Sequence, residues 1–450
     1  MSTDAIAAWH GLLDDGSAAE LSDWLDTRQK ERGVAFGNRA VCTVLRPRFF
    51  SPVEWRELAR AGEALLRALS RIGAAALADA QLRAAFRLND WEEQLIAGAP
   101  RLPVLLPLSR LDTFIDPSTG VARLTEVNGE TPAGTGYADF LSDLFLASSV
   151  MHRFAREWRV QPLPGMPHLL GTLLDTWHAV RGNRNLPTIA IVDWDDVPTE
   201  SEFRIIRDHS RTMGVPFRIT TPQALSYSGG VLRDADGTTI DLVYKRVLLH
   251  ELVDELGLDT PLLRAVLDGN VVMVNGIDGK PLHKKASLAV LTDERHADLL
   301  SDAERELIAR LVPWTRVVEE RHTMLDGERI DLLPWMADHR DELVLKPNDD
   351  YGGAGIVLGW EVDSGEWQRA IARALETPYV VQRRIALPSE PFPSLVNGRL
   401  RIDDRIVDTA PFCWQGSRID GTLTRISTST LVNVTAGGGS TVPTFVVEPR

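Results

Sequence analysis

Apolar residues in the N-terminal third of the chain recur at helical spacing, and the clearest element opens at Ser51-Pro52-Val53-Glu54. Serine followed three places later by glutamate is a capping box, and proline at the first helical position needs no N–H partner. The Ala/Leu/Arg-rich run to about Phe86 is therefore expected to be helix. From Arg101 the period shortens. Pro103-Val104-Leu105-Leu106 and Leu124-Thr125-Glu126-Val127 are short apolar runs on either side of the turn sequence Asp116-Pro117-Ser118-Thr119-Gly120, and they predict a hairpin ending near Asn128. The proline-rich stretch Gln161 to Pro167 marks a boundary. Beyond it, Thr188 to Asp193, Pro216 to Ile219 and Leu242 to Tyr244 read as strands, with a helix from Glu200 to Met213, which predicts a small parallel α/β module. From about Asn275 a helix at Asp302 to Val312 is followed by many short strands and Gly-rich turns. The expected division is a helical region plus hairpin over 1–160, an α/β module over 161–270, and an antiparallel-sheet region over 271–450.

Composition narrows what such a chain can do. At 450 residues it has ample length for a large core, and no stretch approaches the roughly 20 apolar residues of a membrane helix. Met1-Ser2-Thr3-Asp4 lacks the basic flank and apolar run of a signal peptide, so a cytoplasmic address is expected. The two cysteines, Cys42 and Cys413, offer no disulfide framework and no thiolate metal cluster. A net charge of −14 repels nucleic acid and anionic membrane, and neither is expected as a partner.

Two places concentrate chemistry. In Leu343-Val344-Leu345-Lys346-Pro347-Asn348-Asp349-Asp350-Tyr351-Gly352-Gly353-Ala354-Gly355-Ile356-Val357-Leu358, apolar strands flank a small-residue loop whose N–H groups can approach an anion, with a lysine ending the incoming strand. This is neither a P-loop nor a Rossmann fingerprint, because the glycines lead into a strand. Taken alone, it fits a phosphate cradle and a plain glycine-rich hairpin with a solvated lysine equally well. The second place is Arg110-Leu111-Asp112 on one hairpin arm and Glu126-Val127-Asn128 on the other. Glu126 and Asn128 are two apart, so they share a face, and folding the hairpin brings Asp112 nearly opposite them. Two carboxylates and an amide suit Mg²⁺; the bland alternative is a polar outer face. Lys284-Lys285 and the strand end Tyr244-Lys245-Arg246 read on their own as solvated charge, and the glycines 437–439 as a flexible surface loop, with a mobile lid or second phosphate loop as the functional alternatives. His250-Glu251-Leu252-Val253-Asp254 lacks the second histidine of a zinc-peptidase motif.

Together these segments resemble the ATP-grasp superfamily, specifically its circularly permuted branch, which includes eukaryotic glutathione synthetase and the synthetase domain of glutathionylspermidine synthase. The acidic hairpin comes first here and Lys346-Pro347 with its glycine loop comes last. Val274-Asn275-Gly276, Lys284 to Ala289, Pro313-Trp314-Thr315 and Tyr379 to Arg384 match the permuted pattern as well. The resemblance implies a permuted ATP-grasp fold of mixed α+β and α/β character, with Lys285 and Lys346 on ATP and Gly352, Gly353 and Gly355 over its phosphates. It places Gln382, Arg383, Arg384 and Ile385 at the adenine hinge. Asp112, Glu126 and Asn128, with Asp350, would hold Mg²⁺, and Arg110 would stand near the transferred phosphoryl group. One departure is that Arg383 and Arg384 follow the hinge glutamine where the superfamily often has an acidic residue.

The expected activity is an ATP-dependent carboxylate–amine ligase acting on small-molecule substrates through an acyl phosphate, releasing ADP and phosphate. An ATP-dependent small-molecule kinase and a non-catalytic nucleotide-binding protein are the alternatives. The α/β module is expected to shape the acceptor site.

Overall fold

The computed structural model describes residues 2–36, 39–350, 353–430 and 439–450. The capping box at Ser51 does what its sequence requires. The Ser51 hydroxyl accepts from the Glu54 N–H, the Glu54 carboxylate accepts from the Ser51 N–H, and the helix runs Pro52–Ala78, with two short turns carrying the chain to Phe86. Leu65, Leu66, Leu69 and Ile72 on one face of this helix share an apolar cluster with Leu111, Leu124, Val127 and Ile419. Each such side chain contributes roughly 1.5–3 kcal/mol on burial.

Those partners belong to a six-stranded antiparallel sheet ordered Gly439–Val442, Arg418–Ser427, Arg399–Trp414, Leu108–Ile115, Ala122–Asn128, with Ser389–Val396 also paired to the long strand. The predicted hairpin is its N-terminal contribution, joined to the C-terminal strands at Thr113–Thr409 and Leu108–Trp414. Its turn forms because the Asp116 carboxylate accepts from the N–H groups of Ser118 and Thr119, and Gly120 takes a φ of +70°. The first arm begins later than its apolar run suggested. Pro103 to Leu106 is irregular and the strand starts at Leu108, since Pro103 and Pro107 have no N–H to give a ladder.

A second antiparallel sheet is ordered Thr315–Val317, Tyr379–Arg383, Leu343–Pro347, Val357–Leu358. Helices Leu332–Asp338 and Ser364–Glu376 cover one face, through Leu332, Met336 and Trp367 packed with Leu343, Leu345 and Val381. The three strands expected between Thr188 and Tyr244 form a parallel sheet, and a fourth, Val272–Val274, joins it from beyond residue 270; the order is Val272–Val274, Leu242–Lys245, Ile189–Val192, Phe217–Thr220. Both of its faces are covered. Ile189, Ile191, Leu242 and Tyr244 pack with Leu173, Phe203 and Ile206, whereas Ala190, Val192 and Val243 pack with Leu262, Leu263 and Val266. Its strands are accordingly apolar throughout rather than alternating. The first two helices, Ser2–His10 and Asp15–Glu31, are anchored by Trp9, whose ring meets Phe49 at 5.7 Å and Phe154 at 5.4 Å. Among the described residues no helix is long and apolar enough to cross a membrane.

Two glycines differ in what a methyl group would meet, and so in the expected sign of a substitution. At Gly359 a Cβ would lie 1.9 Å from the Arg340 carbonyl oxygen, which is backbone and cannot yield. Gly359→Ala is expected to lower unfolding free energy by about 3 kcal/mol. Gly171 lies inside the helix Met166–Arg181 with open space around it, so Gly171→Ala should raise it by roughly 1 kcal/mol. Urea titrations of the two variants check both signs.

Candidate functional site

The two antiparallel sheets face each other across a cavity of about 1220 Å³. Arg110, Asp112, Glu126 and Asn128 line it from the hairpin, and Lys346, Gln382, Arg383, Arg384 and Ile385 from the second sheet, with Gly353 between. The hairpin register sets Arg110 opposite Asn128 and Asp112 opposite Glu126. Between Leu124 and Glu126 the register slips, and Thr125 is the extra residue of a β-bulge. The bulge has two effects. It lets Leu124 and Val127 both turn to the long helix while Glu126 and Asn128 turn to the cavity, which strict alternation would forbid. It also takes the Thr125 carbonyl out of the strand pairing, and the Lys346 ammonium donates to that oxygen at 3.0 Å.

Lys346 is buried and donates its other described bond to Gln382 Oε1 at 2.7 Å; Gln382 Nε2 in turn donates to Thr315 Oγ1 at 3.0 Å. Gln382 therefore aims a lysine from the neighbouring strand. Burial pulls the Lys346 ammonium down to about 8, with Glu126 opposing the shift. Lys285 reaches the same place from the turn before helix Ala286–Thr292: its ammonium lies 3.6 Å from Glu126 Oε2 and donates to the Asp350 carbonyl at 2.7 Å. Asn348 holds this turn by accepting from the Lys285 and Ala286 N–H groups. Lys285, Asp350 and Gly355 do not themselves line the cavity, and Gly352 lies outside the described residues, as do Gly437 and Gly438. Gly439 opens a strand of the six-stranded sheet.

Asp112 is engaged on both sides. Arg110 donates to it at 2.7 and 3.0 Å, and Arg425 donates to Oδ2 at 2.8 Å. Burial alone would raise this carboxyl, but the two guanidiniums overcome it and hold it below the usual carboxylate range. Arg425 also pairs with Asp408, whose carboxyl is pushed by burial up to about 6 against the pull of Arg425. Neither residue has a local motif. The one available signal was an aspartate between apolar neighbours in Ile406-Val407-Asp408-Thr409-Ala410.

The far end of the cavity belongs to the α/β module, through Asp193, Trp194, Arg246 and Glu251. Asp193 and Trp194 follow the carboxyl end of a parallel strand, where ligands of such sheets bind, so that rule could have found them. Arg246 is not a solvated strand end. It is buried, pairs with Glu202 and stacks over Phe203, and the Glu202 carboxylate also accepts from Gly134 and Gly136 at the start of helix Thr135–Leu146.

Nor are Lys245 and Lys284 solvated. Lys245 donates to Glu130 at 3.0 Å, Lys280 to Glu130 at 2.6 Å and Asp349 at 3.0 Å, and Lys284 to Asp349 at 2.9 Å, with Glu92 2.8 Å from Lys284. Glu130, His283 and Asp349 bring ligand-type atoms within 4.8 Å of one another. The cation role there is already filled by the three ammonium groups, so this cluster is a neutral strut and not a metal centre. Burial, followed by Lys280, drives His283 down to about 4.

No family model matches the chain. An uncharacterized protein of Mycobacterium tuberculosis is 33% identical over 147 residues, 31% of this chain and 25% of that protein. A putative glutamate–cysteine ligase of Frankia casuarinae is 23% identical over 459 aligned positions, 96% of this chain and 50% of that protein. The chain thus spans a quarter to a half of the length of these curated relatives. Among solved structures, a glutathione synthetase-like effector from Globodera pallida in its apo form superposes with a TM-score of 0.60 at 13% identity, covering 96% of both chains. The chain has a glutathione synthetase-like fold. This likeness is one of fold, and it accords with the mixed α+β and α/β class expected from the sequence.

The His283 environment yields a pH test. The folded chain keeps this imidazole neutral to about 4, whereas the unfolded chain protonates it near 6.5. Its contribution to stability is present above 6.5 and is lost as pH falls toward 4. Between pH 7 and 4.5 the His283→Gln variant should lose less stability than the parent, by on the order of 2 kcal/mol, as read from urea midpoints at the two pH values.

Proposed function

We propose that this protein is an ATP-dependent carboxylate–amine ligase of circularly permuted ATP-grasp type, forming an amide through an acyl phosphate and releasing ADP and phosphate. The observation that carries the reading is the bond from Lys346 to the Thr125 carbonyl, which puts the ammonium of the late sheet one residue from Glu126 of the early one. The order of the parts along the chain, acidic hairpin before lysine and glycine loop, supports the permutation.

Asp112, Glu126 and Asn128 are an oxygen-rich donor set, and Asn128 Nδ2 is buried without a hydrogen-bond partner, as expected of an amide that is completed by a bound group. These three residues fit Mg²⁺, and the reading adds Asp350, whose backbone carbonyl accepts from Lys285, as a fourth ligand. When bound, the ion would neutralise phosphate charge and align the γ-phosphate for attack.

The chain's own residues do the rest. Val344, Leu358 and Gln382 are register partners on adjacent strands, and with Ile356 and Ile385 they give this part of the cavity lining an apolar character that suits a purine. Arg384 lies 4.0 Å from the Trp360 ring centroid, which makes a flat wall at this end and gives a role to the basic residues after the hinge glutamine. Lys346, Lys285 and Arg110 offset charge on the phosphoryl oxygens as a substrate carboxylate attacks the γ-phosphorus. Gly353 and Gly355, both at positive φ, belong to the loop that would cover the phosphates and keep water from the acyl phosphate. The acceptor amine would enter by way of Asp193, Trp194 and Arg246, in the module assigned to residues 161–270.

Glu126→Ala and Asn128→Ala are each expected to abolish amine-dependent ADP release, by a hundredfold or more on an order-of-magnitude basis, with the circular dichroism spectrum unchanged. The assay is a screen of amino acids, short peptides and other amines for ADP release, with mass spectrometry of the condensed product. Near-normal turnover in either variant would remove the metal assignment.

A further inference from the structure

Asp408 is a further carboxylate on the cavity wall, and the chemistry above leaves it unused. It sits on the long strand Arg399–Trp414, is 2% exposed, and lines the cavity with Asp112 and Arg425. One Arg425 nitrogen bridges the two acids, donating to Oδ2 of Asp112 at 2.8 Å and to Oδ2 of Asp408. Arg110 occupies the other side of Asp112 at both oxygens. Oδ2 of Asp112 thus accepts from two guanidiniums and Oδ1 from one, so a divalent cation that takes Oδ2 has to displace an arginine.

The geometry says which one. Arg110 makes a two-point contact with Asp112 and also donates to the Ala133 carbonyl at 2.8 Å, so it is held in place. Arg425 reaches Asp112 through a single nitrogen. Its Nε is buried without a partner, and so is Oδ1 of Asp408. A donor and an acceptor on two side chains already in contact are thus both unsatisfied, and a buried polar group left so costs about 1–3 kcal/mol. A small rotation that leaves Asp112 would let Arg425 meet Asp408 with two parallel bonds, the forked arrangement favoured by arginine and carboxylate.

We propose that Asp408 is a positioning residue that receives Arg425 when a divalent cation binds Asp112, so that cation binding and release of the Arg425 guanidinium are one event. Arg425 competes with the cation for Asp112, and Asp408 lowers the cost of losing that competition. The exchange balances charge: the cation replaces a guanidinium on Asp112, and the guanidinium keeps a carboxylate partner. The freed Arg425 remains on the cavity wall, within the site to which a transferred phosphoryl group would come. The inference rests on the ligase reading for its placement of the cation on Asp112, but its test needs no nucleotide and no turnover.

The probe is Mn²⁺ alone, titrated into the full chain and followed by electron paramagnetic resonance, with Glu126→Gln marking the binding that belongs to this site. Arg425→Met removes the competitor and should tighten Mn²⁺ about tenfold; Asp408→Asn removes the alternative partner and should weaken it by a similar factor. Asp408→Glu, which keeps the charge, should restore most of the parent affinity. Deleting a nearby negative charge would weaken a cation by itself, so the decisive variant is the pair. In Arg425→Met/Asp408→Asn the Asp408 effect should vanish, leaving the affinity of Arg425→Met. An Asp408 effect of equal size in both backgrounds overturns the coupling while leaving the metal site in place. If Asp408→Asn does not fold, Arg425→Met still decides, because unchanged or weaker Mn²⁺ binding in it is incompatible with competition. Mn²⁺ binding indifferent to Glu126→Gln overturns the metal assignment and the coupling together.

Discussion

Burying three lysines in one place obliges the chain to bring three carboxylates to meet them. An ammonium taken out of water costs several kcal/mol unless it is paired at close range, and Lys245, Lys280 and Lys284 are all almost wholly inaccessible. Their partners come from separate elements: Glu92 from the helix Asp90–Gly98, Glu130 from the segment after the acidic hairpin, and Asp349 from the segment after Lys346. Lys245 ends a strand of the parallel sheet, and Lys280 and Lys284 belong to the turn that delivers Lys285. The network is worth little as net stabilisation, since an apolar core could replace it. What it supplies is register, because sliding any one of these elements would leave an uncompensated buried charge.

The cavity inherits its geometry from that register. Glu130 lies two residues beyond Asn128 and Asp349 three beyond Lys346, so fixing these two acids against shared lysines fixes the two antiparallel sheets against each other. The bulge at Thr125 and the bond from Lys346 to its carbonyl are then possible at the facing edges. Charge inside the cavity follows the same economy as the strut: Asp112 and Asp408 stand against Arg110 and Arg425, and Glu126 stands against Lys285 and Lys346. Each of these three acids faces a base without ligand, so a cation that binds one of them competes with its partner. The strut pairs three acids with three buried lysines, whereas the cavity set faces open space.

Much of the candidate site could be read along the chain because its parts are local. A capping box, an Asx turn and a two-residue strand spacing act through neighbours in sequence, and the helix at Pro52, the hairpin turn at Asp116 and the shared face of Glu126 and Asn128 all formed accordingly. The strand that ends at Lys346 was equally legible, although its pairing with Tyr379–Arg383 was not. Arg425 and Asp408 escaped notice because each sits alone in a long strand and gains meaning only from Asp112, far away in sequence. Lys245 and Lys284 were misjudged for the same reason, since a lysine at a strand or turn end is solvated unless some distant acid meets it.

The sequence by itself therefore determined the elements, the faces they present and the kind of chemistry those faces can support, since dihedral preferences, capping and side-chain alternation act over a few residues. Tertiary structure alone decided which acids met which bases, where the hairpin slipped by one residue, and which charges were buried. Those outcomes depend on electrostatic pairing across separations of tens to hundreds of residues, and short-range pattern carries no information about such distances.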